Sequence, residues 1–434
     1  MTADYGGGAT ELGRHFAWAK LGASMPEGET PVAVIAALPW MTDAPTRAVL
    51  MALGRGAARF AGGPVRDALL GRPVTDIDIA TIHPPEEVVR RLDAAGIAVV
   101  PTGLAHGTVT AIIAPRHFEI TTLRRDVETF GRHARVVFTQ DWAEDASRRD
   151  FTMNALYLDE EGRVFDYVGG LADLRAGRVR FVGDARQRIR EDVLRLLRFY
   201  RFSAHYARAP ADPEGRAAAH ELKDLLPTLS AERVQGEILK LLAAPDPVAT
   251  LTLMVEDGVL EKILPEARSL ALLAALVPLE PAPDPVRRLA ALVAHDAASA
   301  EAASRRLKLT AAERARVVAI AAPPAAIVLA ADETAQRRAL YRLGASRYSD
   351  LVLMRAAAGG MGARAKALLD LAAAWRKPRF PLKGADLVAR GLAPGPEVGK
   401  ILGEVEAWWE AGDFRADRKA ALAELERRLG ANHG

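Results

Sequence analysis

The 434-residue chain contains no cysteine, which excludes disulfides, thiolate metal sites and a cysteine nucleophile. No stretch approaches eighteen uninterrupted apolar residues, so no membrane-spanning helix is expected. The opening MTADYGGGATELGRHF has no basic segment followed by an apolar one, so no secretory signal is read. A cytoplasmic enzyme is the default expectation. Net charge is only +3, too little to argue for a nucleic-acid partner. The distribution of arginine says more: Arg124 and Arg125, Arg148 and Arg149, and the stretch from Arg186 to Arg201 are the footprint of a polyphosphate or RNA partner. Half the residues are hydrophobic, enough for a folded protein, and the length predicts two to four modules. His106, His117 and His133 are scattered and are read as no ligand set.

The chain is organised around FAGGPVRDALLGRPVTDIDIAT, Phe60 to Thr81. A strand ending at Ala61 turns through Gly62-Gly63 into a short helix from Pro64, then breaks at Gly71-Arg72-Pro73. It returns as an alternating strand in which Asp76 and Asp78 share one face, Ile77 and Ile79 the other. Pro64 suits a first helical position, which leaves amides near Gly63 open to an anion that Arg66, one turn in, can also reach. Two carboxylates beside such a turn suggest a divalent metal next to phosphate. Taken singly, a Gly-Gly turn is usually only a turn, and an edge D-x-D is usually solvated.

The whole pattern, GG-x-V-R-D-x-L-L-G-R-x-x-x-D-x-D-x-A-T, resembles the signature of class II tRNA nucleotidyltransferases and bacterial poly(A) polymerases, within the DNA polymerase beta superfamily. That resemblance implies catalysis by two Mg²⁺ ions on Asp76 and Asp78. It also implies a third acidic residue on a neighbouring strand, for which Glu119 is the candidate. The alternative for Glu119 is an edge-strand residue facing water.

Around this stretch, Pro39 to Gly54 reads as a helix after Thr42 or Asp43, with Val49, Leu50 and Leu53 on its apolar side. Pro84-Pro85 opens another helix, Ile97 to Val100 is a short buried strand, and Gly107 to Leu123 is a hairpin. Arg124 to Asp145 shows no clear period and is expected to be a long irregular loop. It resembles the flexible loop with which full CCA-adding enzymes switch from C to A.

Arg148 to Ala155, RRDFTMNA, resembles the second family motif: Arg149 directed at phosphate, Asp150 accepting from sugar hydroxyls, Asn154 able to do either. An Asp150 helix cap beside a solvated arginine pair fits the stretch equally well. Phe165 to Asp184 resembles the third motif and is assigned geometry rather than chemistry. Arg186 to His205 is expected to be one helix, with Asp192, Arg195, Arg198 and Arg201 in a stripe. For an isolated helix, intrahelical ion pairing explains such a stripe. Within E-D-V-L-R, however, it resembles the family's amino-acid template for the incoming base. Cytosine and adenine both offer an exocyclic amine beside a ring-nitrogen acceptor. Asp192 would accept from the amine and Arg195 donate to the ring nitrogen, while uracil and guanine present the reverse order. Arg198 and Arg201 would hold the triphosphate.

Beyond Ala209 the pattern is helical, broken by proline-rich stretches. Ser230 to Ala244 opens a helix resembling a fifth family element. His295-Asp296 brings to mind an HD-type metal pair, but the wider ligand set is missing and a second active site is rejected. Trp375, Lys377, Arg379, Phe380 and Lys383 could grip the tRNA elbow or could belong to a capped helical hairpin.

The expected fold is α+β: a polymerase-beta-like nucleotidyltransferase head with a mixed sheet, followed by an all-α neck, body and tail. The expected divisions are an extension over 1–36, with disorder one reading of it, a head over 37–180, a neck over 181–250, a body over 251–365 and a tail over 366–434. The expected reaction adds C, C and A to tRNA from CTP and ATP, with tRNA as partner and no obligate protein partner. Poly(A) polymerase and partial CC- or A-adding enzymes are the nearest rivals. A non-catalytic RNA-binding protein would be expected to have lost its acidic pair. A sugar-nucleotide or antibiotic nucleotidyltransferase would lack the Asp192–Arg195 pair.

Overall fold

The structure, a computed structural model, describes residues 30–104, 107–130, 133–323, 332–359 and 362–431. Most of the proposed extension (1–29) and His106 lie outside these residues. The strands are β1 (Ala33–Val34), β2 (Ala58–Ala61), β3 (Ile77–Thr81), β4 (Ala98–Gly103) and β5 (Thr108–Ile113). They continue with β6 (Arg116–Thr122), β7 (Arg124–Phe130), β8 (His133–Phe138), β9 (Leu156–Leu158) and β10 (Arg163–Asp166). Eight of them form one sheet in the order β1-β10-β9-β2-β3-β6-β5-β4, and β7 pairs with β8 apart from it. The β3–β6 pair is parallel and the other pairings are antiparallel, so the sheet is mixed. β1 falls within the stretch expected to be an N-terminal extension, 1–36. It pairs with β10 and buries Ala33, and the next residue but one, Ile35, is buried as well.

The helices ahead of β2 follow the sequence closely. Helix α1 (Pro39–Thr42) leads into α2 (Ala44–Leu53), which starts where the Asp43 carboxylate accepts the Thr46 N–H at 2.9 Å. It ends at Gly54, whose φ of +95° is the left-handed geometry glycine tolerates. Val49, Leu50 and Leu53 are buried as the spacing predicts. Helices α3 (Gly63–Leu69) and α4 (Pro85–Ala94) flank β3 in the chain.

Three expectations change. Ile97–Val100 leads into the outermost strand, β4, and Val100 is 43% exposed because an edge strand has a neighbour on one side only. Arg124 to Asp145 is not irregular: it is the β7–β8 hairpin followed by α5 (Trp142–Ser147). The ribbon pairs outside the main sheet, so its sequence need not carry the alternation of a strand with one face on that sheet's core. Finally, the helix expected over 186–205 is two helices, α7 (Ala185–Glu191) and α8 (Leu194–Tyr206). Asp192 sits between them with extended geometry (φ −149°, ψ 107°), its carboxylate accepting the Leu194 N–H at 3.1 Å. An aspartate that bonds a nearby amide in this way competes with the helix.

The chain divides into two compact units between Ile263 and Leu264. The first closes with α6 (Gly170–Ala176), α9 (Pro213–Leu222), α10 (Ala231–Leu242), α11 (Val248–Glu256) and α12 (Val259–Ile263). The second is helical throughout its described residues. One of its cores gathers Leu340, Tyr348, Val352 and Leu368; another gathers Leu387, Ile401, Val405 and Leu425. Asp296 caps a helix there by accepting the Ser299 N–H at 2.6 Å, a structural role. Trp375 and Phe380 pack against Phe414 and Trp409, while Lys377, Arg379 and Lys383 stay exposed. The two rings are therefore engaged in the packing of the C-terminal helices.

Candidate active site

The turn after β2 is built for close approach. Gly62 has φ +71°, and a Cβ there would lie 3.3 Å from Nη1 of Arg149. Gly62 and Gly63 form one wall of a cavity of about 570 Å³ in the first unit. Arg66, buried against the wall, donates to Asn154 Oδ1 at 2.6 Å and pairs with Asp67 at 2.9 Å.

On β3 the alternation holds: Ile77 and Ile79 are buried, and Asp78 turns the other way to line the cavity. Parallel pairing of β3 with β6 sets Asp78 directly beside Glu119. Both also line an adjoining cavity of about 210 Å³. Burial, and then the negative charges of Glu119 and Asp76, push the Asp78 carboxyl up to about 6, against the pull of Arg149 and Arg66. Asp76 lies at the bend just before the first strand residue and is exposed, lining neither cavity. The two aspartates thus act on one another, but only Asp78 belongs to the regular strand.

Asp78, pushed up by burial and by the charges of Glu119 and Asp76, is a donor whose charge a divalent cation would offset. Among the described residues no three histidine, aspartate or glutamate side chains converge closely enough to enclose a metal. That is compatible with a hard divalent ion of the magnesium type, which uses one or two carboxylates and takes its remaining oxygens from water and substrate phosphate. The residues present fit such an ion.

Opposite Asp78 stands the RRDFTMNA segment. Asp145, 1% exposed, accepts from Arg149 Nη2 at 2.9 Å, Arg148 Nε at 2.9 Å and the Tyr157 hydroxyl at 2.7 Å, which fixes both arginines at the cavity wall. Asp150 accepts from the Phe151 N–H at 2.8 Å, Asn154 Nδ2 at 3.0 Å and Arg198 Nε at 2.8 Å. Burial alone would raise its pKa, but Arg198 and these donors prevail and hold it at about 2. Asp150 is not the exposed helix cap that the sequence left open. It is a half-buried anchor for Arg198, and a sugar hydroxyl would have to share its oxygens.

Asp192, Arg195 and Arg198 line the same cavity as Asp78. Arg195 pairs with Glu191 at 2.6 Å and donates to the Arg148 carbonyl at 3.3 Å. Arg201 does not line the cavity; it turns to Glu237 of α10 at 2.8 Å. Burial, and then Arg198 and Arg66, lower its pKa against the opposing charge of Glu237. Two residues here were not singled out as site residues in the sequence. Arg233, on α10, lines the cavity and grips Asp192; its signal was its place in the fifth family element. Asp145 had only its closeness to the arginine pair. The third-motif stretch buttresses the site from below: Asp173 accepts from Thr152 Oγ1 at 2.8 Å and from Arg180 Nε at 2.8 Å.

Comparison with known proteins bears on this arrangement. The family profile described as the Poly A polymerase head domain matches residues 58–180, and that for a probable RNA and SrmB-binding site of polymerase A matches 211–270. The mitochondrial CCA tRNA nucleotidyltransferase 1 of Danio rerio is 35% identical over 379 residues, 85% of this chain and 86% of that protein. The CCA-adding enzyme of Levilactobacillus brevis is 32% identical over 388 residues, 84% of this chain and 92% of its own. Among solved structures, the Bacillus stearothermophilus CCA-adding enzyme in complex with CTP aligns with a TM-score of 0.69 at 28% identity. That alignment covers 90% of this chain and 99% of the other.

Proposed function

The chain belongs to the CCA-adding enzyme and poly(A) polymerase family, and on that premise we propose that it adds C, C and A to the 3′ end of tRNA. The reaction is template-independent nucleotidyl transfer from CTP and ATP with release of pyrophosphate. CCA addition is preferred to poly(A) synthesis because the relatives matched over more than four-fifths of their length are CCA enzymes. One observation carries the reading: the carboxylate suited to a metal and the pair suited to a base edge, Asp78 with Asp192 and Arg195, line one cavity.

Within it, Asp192 accepts from the exocyclic amine of cytosine or adenine, and Arg195 donates to the ring nitrogen. Glu191 keeps the Arg195 fork oriented through their 2.6 Å pair. Arg66, Arg149 and Arg198, which line the cavity with Gly62 and Gly63, present guanidinium groups to the triphosphate. Asp150 and Asn154 face the ribose. Asp76 and Asp78 would hold the divalent metal, taken to be Mg²⁺, with Glu119 beside them; when bound it supplies charge neutralisation at the 3′-oxygen and the leaving pyrophosphate. Arg201 serves through Glu237 and the helix it braces.

The proposal includes a cytoplasmic location and no obligate protein partner. Among the described residues no helix is long and apolar enough to cross a membrane. The deciding experiment supplies tRNA ending before CCA with labelled CTP and ATP, and sequences the product. A single CCA triplet on tRNA is expected. A homopolymeric A tail on arbitrary RNA would overturn the reading in favour of a poly(A) polymerase.

A further inference from the structure

The last residue of α8 is held by two arginines from the glycine-turn segment. Arg66 lies 4.3 Å from the centroid of the Tyr206 ring and Arg72 lies 4.4 Å from it. The Tyr206 hydroxyl donates to Asp67 Oδ1 at 3.2 Å, and Arg72 Nη2 donates to the His205 carbonyl at 2.8 Å. Phe202, one turn earlier on α8, stacks on Tyr206 with centroids 5.6 Å apart and lines the cavity. Two cations on one ring repel each other, and Asp67, paired with Arg66 at 2.9 Å, offsets that repulsion.

Arg72 is also where the run leading to Asp76 begins. Residues 72–75 belong to no strand or helix, and Arg72, Pro73, Thr75 and Asp76 are exposed. The run is anchored at its start, where the Arg72 N–H reaches the Asp67 carbonyl at 2.8 Å and its side chain reaches α8, and at its end, where β3 begins. Helix α8 carries Arg195 and Arg198 to the cavity at one end and Tyr206 at the other. The contact therefore ties the element that faces the base to the segment that carries the acidic pair.

We propose that Tyr206 and Arg72 are positioning residues that keep the Asp76–Asp78 segment in register with α8, so that a nucleotide whose base has been read presents its α-phosphate to the carboxylates. The inference rests on the base-reading role proposed for Asp192 and Arg195. Such alignment matters because a misplacement of about 1 Å can cost on the order of a hundredfold in rate.

The test uses the full chain with tRNA lacking CCA. Tyr206→Leu and Arg72→Ala should each lower kcat for C addition roughly ten- to a hundredfold, with metal-free CTP binding and CTP-over-UTP preference unchanged. Tyr206→Phe, which keeps the ring, should behave as wild type. The double variant should be no worse than the poorer single one, the signature of residues acting as a unit. Wild-type kcat in Arg72→Ala, multiplicative losses in the double variant, or CTP binding that falls in parallel with kcat would each overturn the proposal. If Tyr206→Leu does not fold, Arg72→Ala, which truncates an exposed side chain, and Tyr206→Phe decide it. Asp192→Asn is measured alongside. Retained CTP preference in that variant refutes the base-reading role, whereas its loss together with a silent Arg72→Ala refutes only the positioning role.

Discussion

Both carboxylate oxygens of Asp192 accept from the same guanidinium nitrogen of Arg233, at 2.9 and 2.8 Å. Oδ1 also takes the Leu194 N–H, so the carboxylate plane is set from a neighbouring helix and from the backbone at once. A group oriented before substrate arrives spends little binding energy on being ordered. Asp192→Asn replaces one acceptor oxygen by a donor. The ratio of kcat/KM for CTP over UTP should fall by roughly two orders of magnitude or more, the scale on which paired hydrogen bonds discriminate. Thermal stability and tRNA affinity should change far less. Competition kinetics with the two nucleotides check this.

Asp78→Asn should reduce nucleotidyl transfer by at least about a thousandfold, since the charge stabilisation a metal provides is worth several kcal/mol. Its effect on stability should have the opposite sign. The folded protein holds the Asp78 proton more tightly than the usual carboxylate range, with a pKa of about 6 against 3.8. The ionised carboxylate therefore costs stability increasingly as pH rises from 3.8 to 6, and fully above it. In chelator at pH 7.5 the variant should be the more stable protein, by at most roughly 3 kcal/mol. The gain should shrink toward zero as the pH approaches 4. Melting curves in chelator across that range measure it.

Asp150 shows the reverse linkage. Its carboxyl is held down at about 2, so its contribution is fully present above pH 4 and is lost as the pH falls from about 4 toward 2. Asp150→Asn should flatten that acid limb, removing roughly 2–3 kcal/mol of pH-dependent stability. Because Arg198 loses its partner, the variant should also bind nucleotide more weakly. Denaturant midpoints taken every half pH unit, with nucleotide titrations at neutral pH, test both statements.

Gly170 opens α6, and a Cβ there would stand 2.0 Å from the carbonyl oxygen of Thr152. Backbone would have to move at the start of the Thr152–Asn154 turn, whose Asn154 holds Arg66. Gly170→Ala should lower stability by more than about 2 kcal/mol, as overpacking against rigid backbone does, and lower activity with it. A control at Gly183, where a Cβ would meet nothing within 4 Å but φ is +70°, should cost only about 1 kcal/mol. Thermal melts of the two variants give the comparison.

Much of the head was legible in order along the chain because its signals are local. The Asp43 cap, the Gly54 stop and the spacing of Val49, Leu50 and Leu53 each depend on a few neighbouring residues, and they predicted α2 almost to the residue. The alternation around Asp78 likewise placed its side chain. The ribbon of β7 and β8 went unread because it pairs outside the main sheet, whose buried face is what imposes alternation on a strand. The break at Asp192 was hidden because leucine, arginine and glutamate on either side all favour helix.

From sequence alone came the family and the class of fold, through the resemblance of its motifs, and the residue types on which the chemistry draws, since strand and helix periods dictate which side chains share a face. Only the tertiary structure settled their partners. The parallel pairing of β3 with β6 set Asp78 beside Glu119, and α10 came close enough for Arg233 to reach Asp192. Arg201 was drawn away to Glu237 and Arg198 was tied to Asp150. Each of these contacts joins residues more than thirty positions apart. Charge and hydrogen bonding act through space, so a one-dimensional pattern can nominate an ionised side chain without showing which opposite charge will claim it.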